Sequence, residues 1–287
     1  MNEEEGDRVG GKDICAQGSM TDLAKLSSDE RMKMAEKWDP KAQYAVGLCY
    51  ATGDIIDRDC EKAMFWFKRA AESGNAEAMY GIGFLYDTGR GTERDYKEAM
   101  RWYEMAADHG NTSAMSNIGF LYEKGYGVDI DYEEAMNWYM MAADLGDEGA
   151  AFNIGCLYWN GHGVERDCDK ALQWYRTAAD LGNTAAMGNV GVFYCNGVAV
   201  DLDYKEAMRW YRMAADLGDE VAMRNIGNLY VNGQGVERDY EEAMYWYGLA
   251  ADLGDQKAMR YVGILYEMDL EIEHDYDAAC FLSDRTS

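Results

Sequence analysis

Basic residues are scarce in this chain. Its 27 lysines and arginines stand against 53 aspartates and glutamates, a formal net charge of −26. Nucleic-acid binding needs cationic side chains that displace counterions from phosphates, so nucleic acid is excluded as a partner, and an anionic membrane surface is disfavoured for the same reason. No run approaches the roughly 18 to 20 consecutive apolar residues of a spanning helix, so no membrane partner is expected. The start, Met-Asn-Glu-Glu-Glu, has neither the basic residues nor the apolar run of a secretory signal, and a cytoplasmic protein is expected.

Ligating residues are few and scattered. The seven cysteines (Cys15, Cys49, Cys60, Cys156, Cys168, Cys195, Cys280) form no C-x-x-C pair, which argues against a zinc or redox site and for reduced thiols. The three histidines, His109, His162 and His274, occupy three different positions of the repeat described next and build no triad or metal cluster. Acidic runs such as Asp129-Ile130-Asp131 lack the twelve-residue calcium-loop pattern, and the glycine loops precede an aspartate that repels phosphate. No cofactor, metal or catalytic residue is therefore expected, and the chain reads as a non-enzyme. The alternative class is a hydrolase or metal-dependent enzyme whose site is assembled across repeats.

What is present is apolar residues, 48% of the chain, ordered with a fixed period. Trp66, Trp102, Trp138, Trp174, Trp210 and Trp246 are 36 residues apart, and Gly74, Gly110, Gly146, Gly182, Gly218 and Gly254 keep the same interval. The period predicts about seven repeats at 39–74, 75–110, 111–146, 147–182, 183–218, 219–254 and a truncated 255–287, in which Asp269 and Glu271 replace loop glycines and Leu282 the tryptophan. Residues 1–20 read as a disordered acidic tail and 21–38 as a capping helix.

Within each repeat, apolar residues fall three and four apart in two stretches, which predicts a helix pair. The first helix starts at an Asn or Asp cap (Asn75, Asn111, Asp147, Asn183, Asp219, Asp255), with Pro40 behind Asp39 in the first repeat. The second starts at Asp59, Asp95, Asp131, Asp167, Asp203, Asp239 or Asp275, often with Glu three residues on in a capping-box pattern. A glycine in mid-helix (Gly47, Gly83, Gly119, Gly155, Gly191, Gly227, Gly263) costs about 1 kcal/mol relative to alanine, and close helix approach is the expected compensation. One helix pair cannot bury both its apolar faces, so the repeats must stack. The expected fold is all-α, a right-handed α-solenoid superhelix of stacked 36-residue helix-turn-helix repeats.

The spacing A-M-x-x-I-G-x-L-Y-x-x-G-x-G-V-x-x-D-Y-x-E-A-M-x-W-Y-x-x-A-A-D-x-G, almost unbroken in 111–146 and 219–254, resembles the Sel-one-like repeat (SLR) family, itself similar to tetratricopeptide repeats. The resemblance implies an adaptor or scaffold that binds a protein or peptide, as in signalling or complex assembly. Some secreted relatives carry disulfides between cysteines seven apart. Here the comparable sites hold residues such as Ala107 and Ala143.

Comparing the repeats with one another separates the first helix into two faces. Ala78, Met79, Ile82, Gly83, Leu85 and Tyr86 recur, whereas Glu77, Tyr80, Gly81, Phe84, Asp87 and Thr88 change, becoming Gly149, Phe152, Asn153, Cys156, Trp159 and Asn160 two repeats on. The changing face is the expected docking surface, concave in stacked helix pairs. On it Asn117, Asn153, Asn189 and Asn225 recur in register, and a ladder of amides suits a peptide backbone. The alternative is that they bond an adjacent helix. Tyr80, Phe152 and Trp159 add apolar contacts, and Arg224, Arg260 and Lys257 make the far end basic. Asp108, Asp144, Asp180, Asp216 and Asp252 end successive second helices, where the helix dipole disfavours a negative charge. They are expected to accept amides of the next helix, or else to form an acidic stripe for a basic partner.

Overall fold

A computed structural model describes residues 39–53 and 57–267. The expected tail and capping helix lie outside those residues, as do Cys15, Asp269, Glu271, His274, Asp275, Cys280 and Leu282. Among the described residues there are thirteen α-helices and no strand: α1 Pro40–Thr52, α2 Cys60–Ala71, α3 Ala76–Thr88, α4 Tyr96–Asp108, α5 Thr112–Lys124, α6 Tyr132–Asp144, α7 Glu148–Asn160, α8 Cys168–Asp180, α9 Thr184–Asn196, α10 Tyr204–Asp216, α11 Glu220–Asn232, α12 Tyr240–Asp252 and α13 Gln256–Glu267. Odd-numbered helices open a repeat and even-numbered ones close it. The all-α, helix-turn-helix architecture expected from the 36-residue period is what the structure shows.

The chain divides into two compact units, one running to Ile154 and including His162–Val164, the other comprising Gly155–Gly161 and the residues from Glu165 onward. In the first, each helix from α1 to α5 packs on its successor; in the second, each from α8 to α12 does.

Local chemistry fixes the helix ends. Asn75, Asn111, Asp147 and Asn183 accept the amide three residues on, from Ala78, Ala114, Ala150 and Ala186, at 2.7–2.8 Å. At the second helices Asp59, Asp95, Asp131, Asp167, Asp203 and Asp239 do the same at 2.9–3.1 Å. The amide of Asp95 itself donates to the Tyr86 carbonyl near the end of α3 at 3.0 Å, and its counterparts repeat that bond, so the loop is pinned at both ends. The bond that a capping-box glutamate would make to this amide is thereby displaced, and Glu98 pairs with Arg101 at 2.5 Å. Between the pins of its own loop Gly163 holds φ of 68°, and a β-carbon there would lie 2.4 Å from that of Tyr132, which favours glycine; at the equivalent position of the next repeat Ala199 adopts the same left-handed conformation, with φ of 57°.

One expectation about helix ends is corrected. Asp108, Asp144, Asp180, Asp216 and Asp252 are exposed and do not receive the amides of the following helix. The cap residue three positions further on accepts an amide of the following helix in their place.

Six of the mid-helix glycines lie against a side-chain ring, and β-carbons on Gly83 and Gly119 would also lie 3.2 Å from the backbone carbonyls of Ala99 and Ala135. A β-carbon on Gly47 would lie 2.6 Å from the Phe67 ring, and on Gly83, Gly119, Gly155, Gly191 and Gly227 it would lie 2.5–2.7 Å from Tyr103, Tyr139, Tyr175, Tyr211 and Tyr247. Each ring comes from the second helix of the same repeat and is at most 3% exposed. Gly188 inside α9, Gly248 inside α12 and Gly263 inside α13 differ: among the described residues nothing lies within 4 Å of a β-carbon built at any of them. Two alanine substitutions should therefore shift stability in opposite directions. Gly155→Ala should destabilise by about 1–3 kcal/mol through overpacking, whereas Gly188→Ala should stabilise by up to ~1 kcal/mol through helix propensity. Thermal unfolding followed by circular dichroism compares them, and a shift of the same sign in both would refute the ring-packing account.

Candidate functional site

The buried tyrosines decide much of what the first helices display. A phenolic hydroxyl carried into the interior needs a partner. Tyr103 donates to Asp87 at 3.2 Å, Tyr139 to Glu123 at 3.0 Å, Tyr175 to Cys156 at 3.5 Å and Tyr247 to Asn228 at 2.8 Å, while Tyr211 bonds Cys195. Asp87, Glu123 and Cys195 share one position of the repeat; Cys156 and Asn228 share the position three residues earlier. Where the later position supplies the partner, the earlier one is apolar (Phe84, Phe120, Val192). Where the earlier one supplies it, the later is Trp159 or Val231. In the first repeat Phe67 has no hydroxyl, and the two positions are Leu48 and Ala51. Part of the variation on the first helices is thus a packing rule, visible only when two positions are compared jointly.

The asparagine ladder follows the same rings. Asn117 donates to the Tyr80 hydroxyl at 3.5 Å and bonds Tyr103; Asn189 bonds Tyr175. Where the preceding ring is Phe67, the ladder position is Gly81, whose β-carbon would lie 3.0 Å from that ring. Asn117 and Asn189 therefore serve the framework. Asn153 and Asn225 are half-buried, and their side chains have no hydrogen-bond partner among the described residues.

The remaining expected contacts divide similarly. Tyr80 is buried, with Tyr103 5.7 Å and Phe84 6.5 Å away between ring centroids. Arg224 pairs with the carboxylate of Asp255, the cap of α13, as Ser116 bonds Asp147, the cap of α7, at 2.9 Å. Both side chains in the Arg224 pair are largely buried, so Tyr80 and Arg224 are framework residues first. Trp159 is half-buried, 5.1 Å from Phe193, with the Arg166 guanidinium 4.9 Å above its ring. Phe152 is half-buried, and Arg260 and Lys257 are exposed. In the first unit, the face therefore offers Phe152 and Asn153. In the second it offers Gly188, Trp159, Val192, Asn225 and Arg260.

Electrostatics agree with packing rather than chemistry. Burial, reinforced by Asp87 and Tyr80, raises the Tyr103 hydroxyl well above its ordinary range, and burial likewise raises Tyr175, Tyr211 and Tyr247. Burial also pushes the Cys195 thiol up, away from the reactive thiolate. Among the described residues no group of His, Cys, Asp and Glu could hold a metal ion, no disulfide forms, and no helix is long and apolar enough to cross a membrane.

The Sel1 repeat model matches residues 40–75, 76–111, 112–147, 149–183, 184–219, 221–255 and 256–283. The chain belongs to the Sel1 repeat family. Proteins of this family generally act as protein-interaction scaffolds, and the Sel1-repeat fold is typically non-enzymatic. A solved relative, a protective antigen of uropathogenic Escherichia coli strains displaying an SLR fold, is 32% identical with a TM-score of 0.75 over 91% of this chain. The chain spans only 56% of that protein's length. A Sel1 repeat protein from Oxalobacter formigenes is 33% identical, with a TM-score of 0.71 over 75% of this chain and 89% of its own. An immunity protein of Pseudomonas aeruginosa, 20% identical with a TM-score of 0.55 over 76% of this chain and 82% of its own, shares the fold. A comparison with the curated proteins gives no match.

Two measurements test the framework on which this Sel1 face rests. Tyr103→Phe removes a hydroxyl donor from buried Asp87 and should cost about 1–3 kcal/mol. Adding Asp87→Ala, which reproduces the Phe67 and Ala51 pairing of the first repeat, should recover part of that loss in a double-mutant cycle. Strictly additive losses would show the two groups to be uncoupled. The second concerns Asp219, whose carboxyl is raised by burial and by neighbouring Glu220, against the opposing Ala222 amide and Arg224. Folding favours its protonated form. Its stabilising contribution is therefore complete below the unfolded pKa of about 3.9 and is lost as pH rises through the folded value. Asp219→Asn keeps a cap oxygen and should be more stable than the parent at neutral pH, with the gap closing toward pH ~3. Urea unfolding at both pH values reads this, and a gap independent of pH would discard charge burial as the cause.

Proposed function

We propose that the chain is an interaction scaffold that holds a protein or peptide segment on the exposed face of its first helices, and so assembles a complex around that partner. The observation that carries this reading is Gly188, an unpacked helical glycine that, unlike Gly248 on a second helix, sits on the changing face of a first helix. A glycine inside a helix is unfavourable, and no packed neighbour explains this one. An open notch beside Asn189 and Val192 fits the close approach of a partner's backbone. In the second unit Trp159 and Arg260 are of the types that dominate binding energy at interfaces and the unpartnered amide of Asn225 can bond a peptide; in the first unit Phe152 and the unpartnered amide of Asn153 offer the same chemistry. A hydrolase reading has less support, because the strongly perturbed groups on the first and second helices are tyrosines and a thiol held protonated by burial. A cytoplasmic scaffold is the setting that this reading adopts.

The test is affinity capture from the native lysate with the parent protein and an Asn153→Ala/Asn225→Ala variant, each captured protein being quantified by mass spectrometry. Retention of a partner held by this face should fall about 2- to 10-fold per lost hydrogen bond, with thermal unfolding unchanged. Equal retention of every captured protein, or a matching fall in stability, would reject the reading.

A further inference from the structure

The inter-repeat turns carry a feature that neither the fold nor the first-helix face uses. In the second unit, Leu181, Leu217 and Leu253 follow the last residue of α8, α10 and α12 and are 43%, 60% and 55% exposed. Met213, one turn before Leu217, is 46% exposed, and Val221, just beyond that turn, is 42% exposed. The first unit repeats the pattern with Leu145, Met105 and Met141. Packing does not demand leucine here, because the equivalent residues after α2 and α4 are Ser73 and His109, both exposed. Methionine is the flexible apolar residue favoured at surfaces that accept varied partners.

Beside each leucine stands an acid that works against the fold. Asp180, Asp216 and Asp252 end their helices, where the backbone dipole is negative, and no basic residue lies in the last turn of α8, α10 or α12. None of the three takes part in a hydrogen bond or ion pair among the described residues. Asp219 and Glu220 add negative charge around Leu217; Lys257 is the basic residue near Leu253. The three turns hold the same repeat position in the second unit, each joining a second helix to the first helix packed on it.

We propose that these turns form a second docking surface, distinct from the first-helix face, and that its occupant is a cationic amphipathic segment of a partner protein. Leucine and methionine side chains take the segment's apolar stripe. The helix-end aspartates take its lysines and arginines, which also relieves their conflict with the helix dipoles. An acidic or neutral amphipathic segment lacks the second half of this match, and a merely basic one lacks the first.

A fluorescent amphipathic Leu/Lys peptide serves as the probe, with a Leu/Glu peptide of the same pattern and a Ser/Lys peptide of the same charge as controls. Anisotropy titrations should show the parent protein binding the Leu/Lys peptide at least about tenfold more tightly than either control. Leu181→Ser/Leu217→Ser/Leu253→Ser, which places at each turn the residue found at Ser73, should weaken that binding about tenfold or more without lowering the thermal midpoint. Asp180→Asn/Asp216→Asn/Asp252→Asn should weaken it as well, flatten its salt dependence and raise the midpoint slightly. Asn153→Ala/Asn225→Ala should leave it unchanged, so failure here and failure of the first-helix reading are told apart. Equal binding of the Ser/Lys peptide, or full binding by the serine variant, would overturn the proposal by showing attraction to net charge alone. Concentration-dependent self-association abolished by the serine substitutions, and unaffected by the peptide, would overturn it in favour of a second copy of the chain.

Discussion

Each helix pair depends on one contact, the ring of a second helix lying against a first-helix backbone stripped of its β-carbon. The glycine sacrifices about 1 kcal/mol of helix propensity, and full burial of an aromatic ring returns about 1.5–3 kcal/mol. The exchange is therefore favourable in each repeat that makes it. Rings no more than 3% exposed also carry their hydroxyls inside, which obliges the first helix to supply a partner at one of two positions. Glycine, ring and hydroxyl partner thus form one linked requirement, and other side chains of the first helices vary independently of it.

The docking surfaces proposed for this Sel1 repeat protein accordingly occupy what the framework leaves over. On the first helices that remainder is narrow, a few half-buried amides and aromatics around the open position at Gly188. At the turns it is broader and more polar, since the cap residues already satisfy the helix amides and leave the terminal aspartates exposed.

Helix pairs, caps and glycine loops were legible because the 36-residue period repeats each signal six times, so tryptophan, glycine and aspartate positions reinforce one another. The site was legible only in part. The burial of Tyr80 depends on Tyr103 and Phe84, which surround it in space and not in the repeat pattern. Arg224 reads as a free base until its partner Asp255, 31 residues away, is brought alongside by stacking. Reading the last-turn aspartates as caps overlooked that Asn183 and Asp219, already assigned to cap their helices, occupy the same amides.

The hydroxyl bonds have a consequence for how such an array grows. Tyr103 and Asp87, Tyr175 and Cys156, and Tyr247 and Asn228 each belong to the same repeat, so a segment duplicated by unequal crossing-over arrives with its interior polar group already matched. Lengthening or shortening the gene by whole 36-codon cassettes then demands compensation only at the seams, where amides such as Asn117 reach back to the preceding ring.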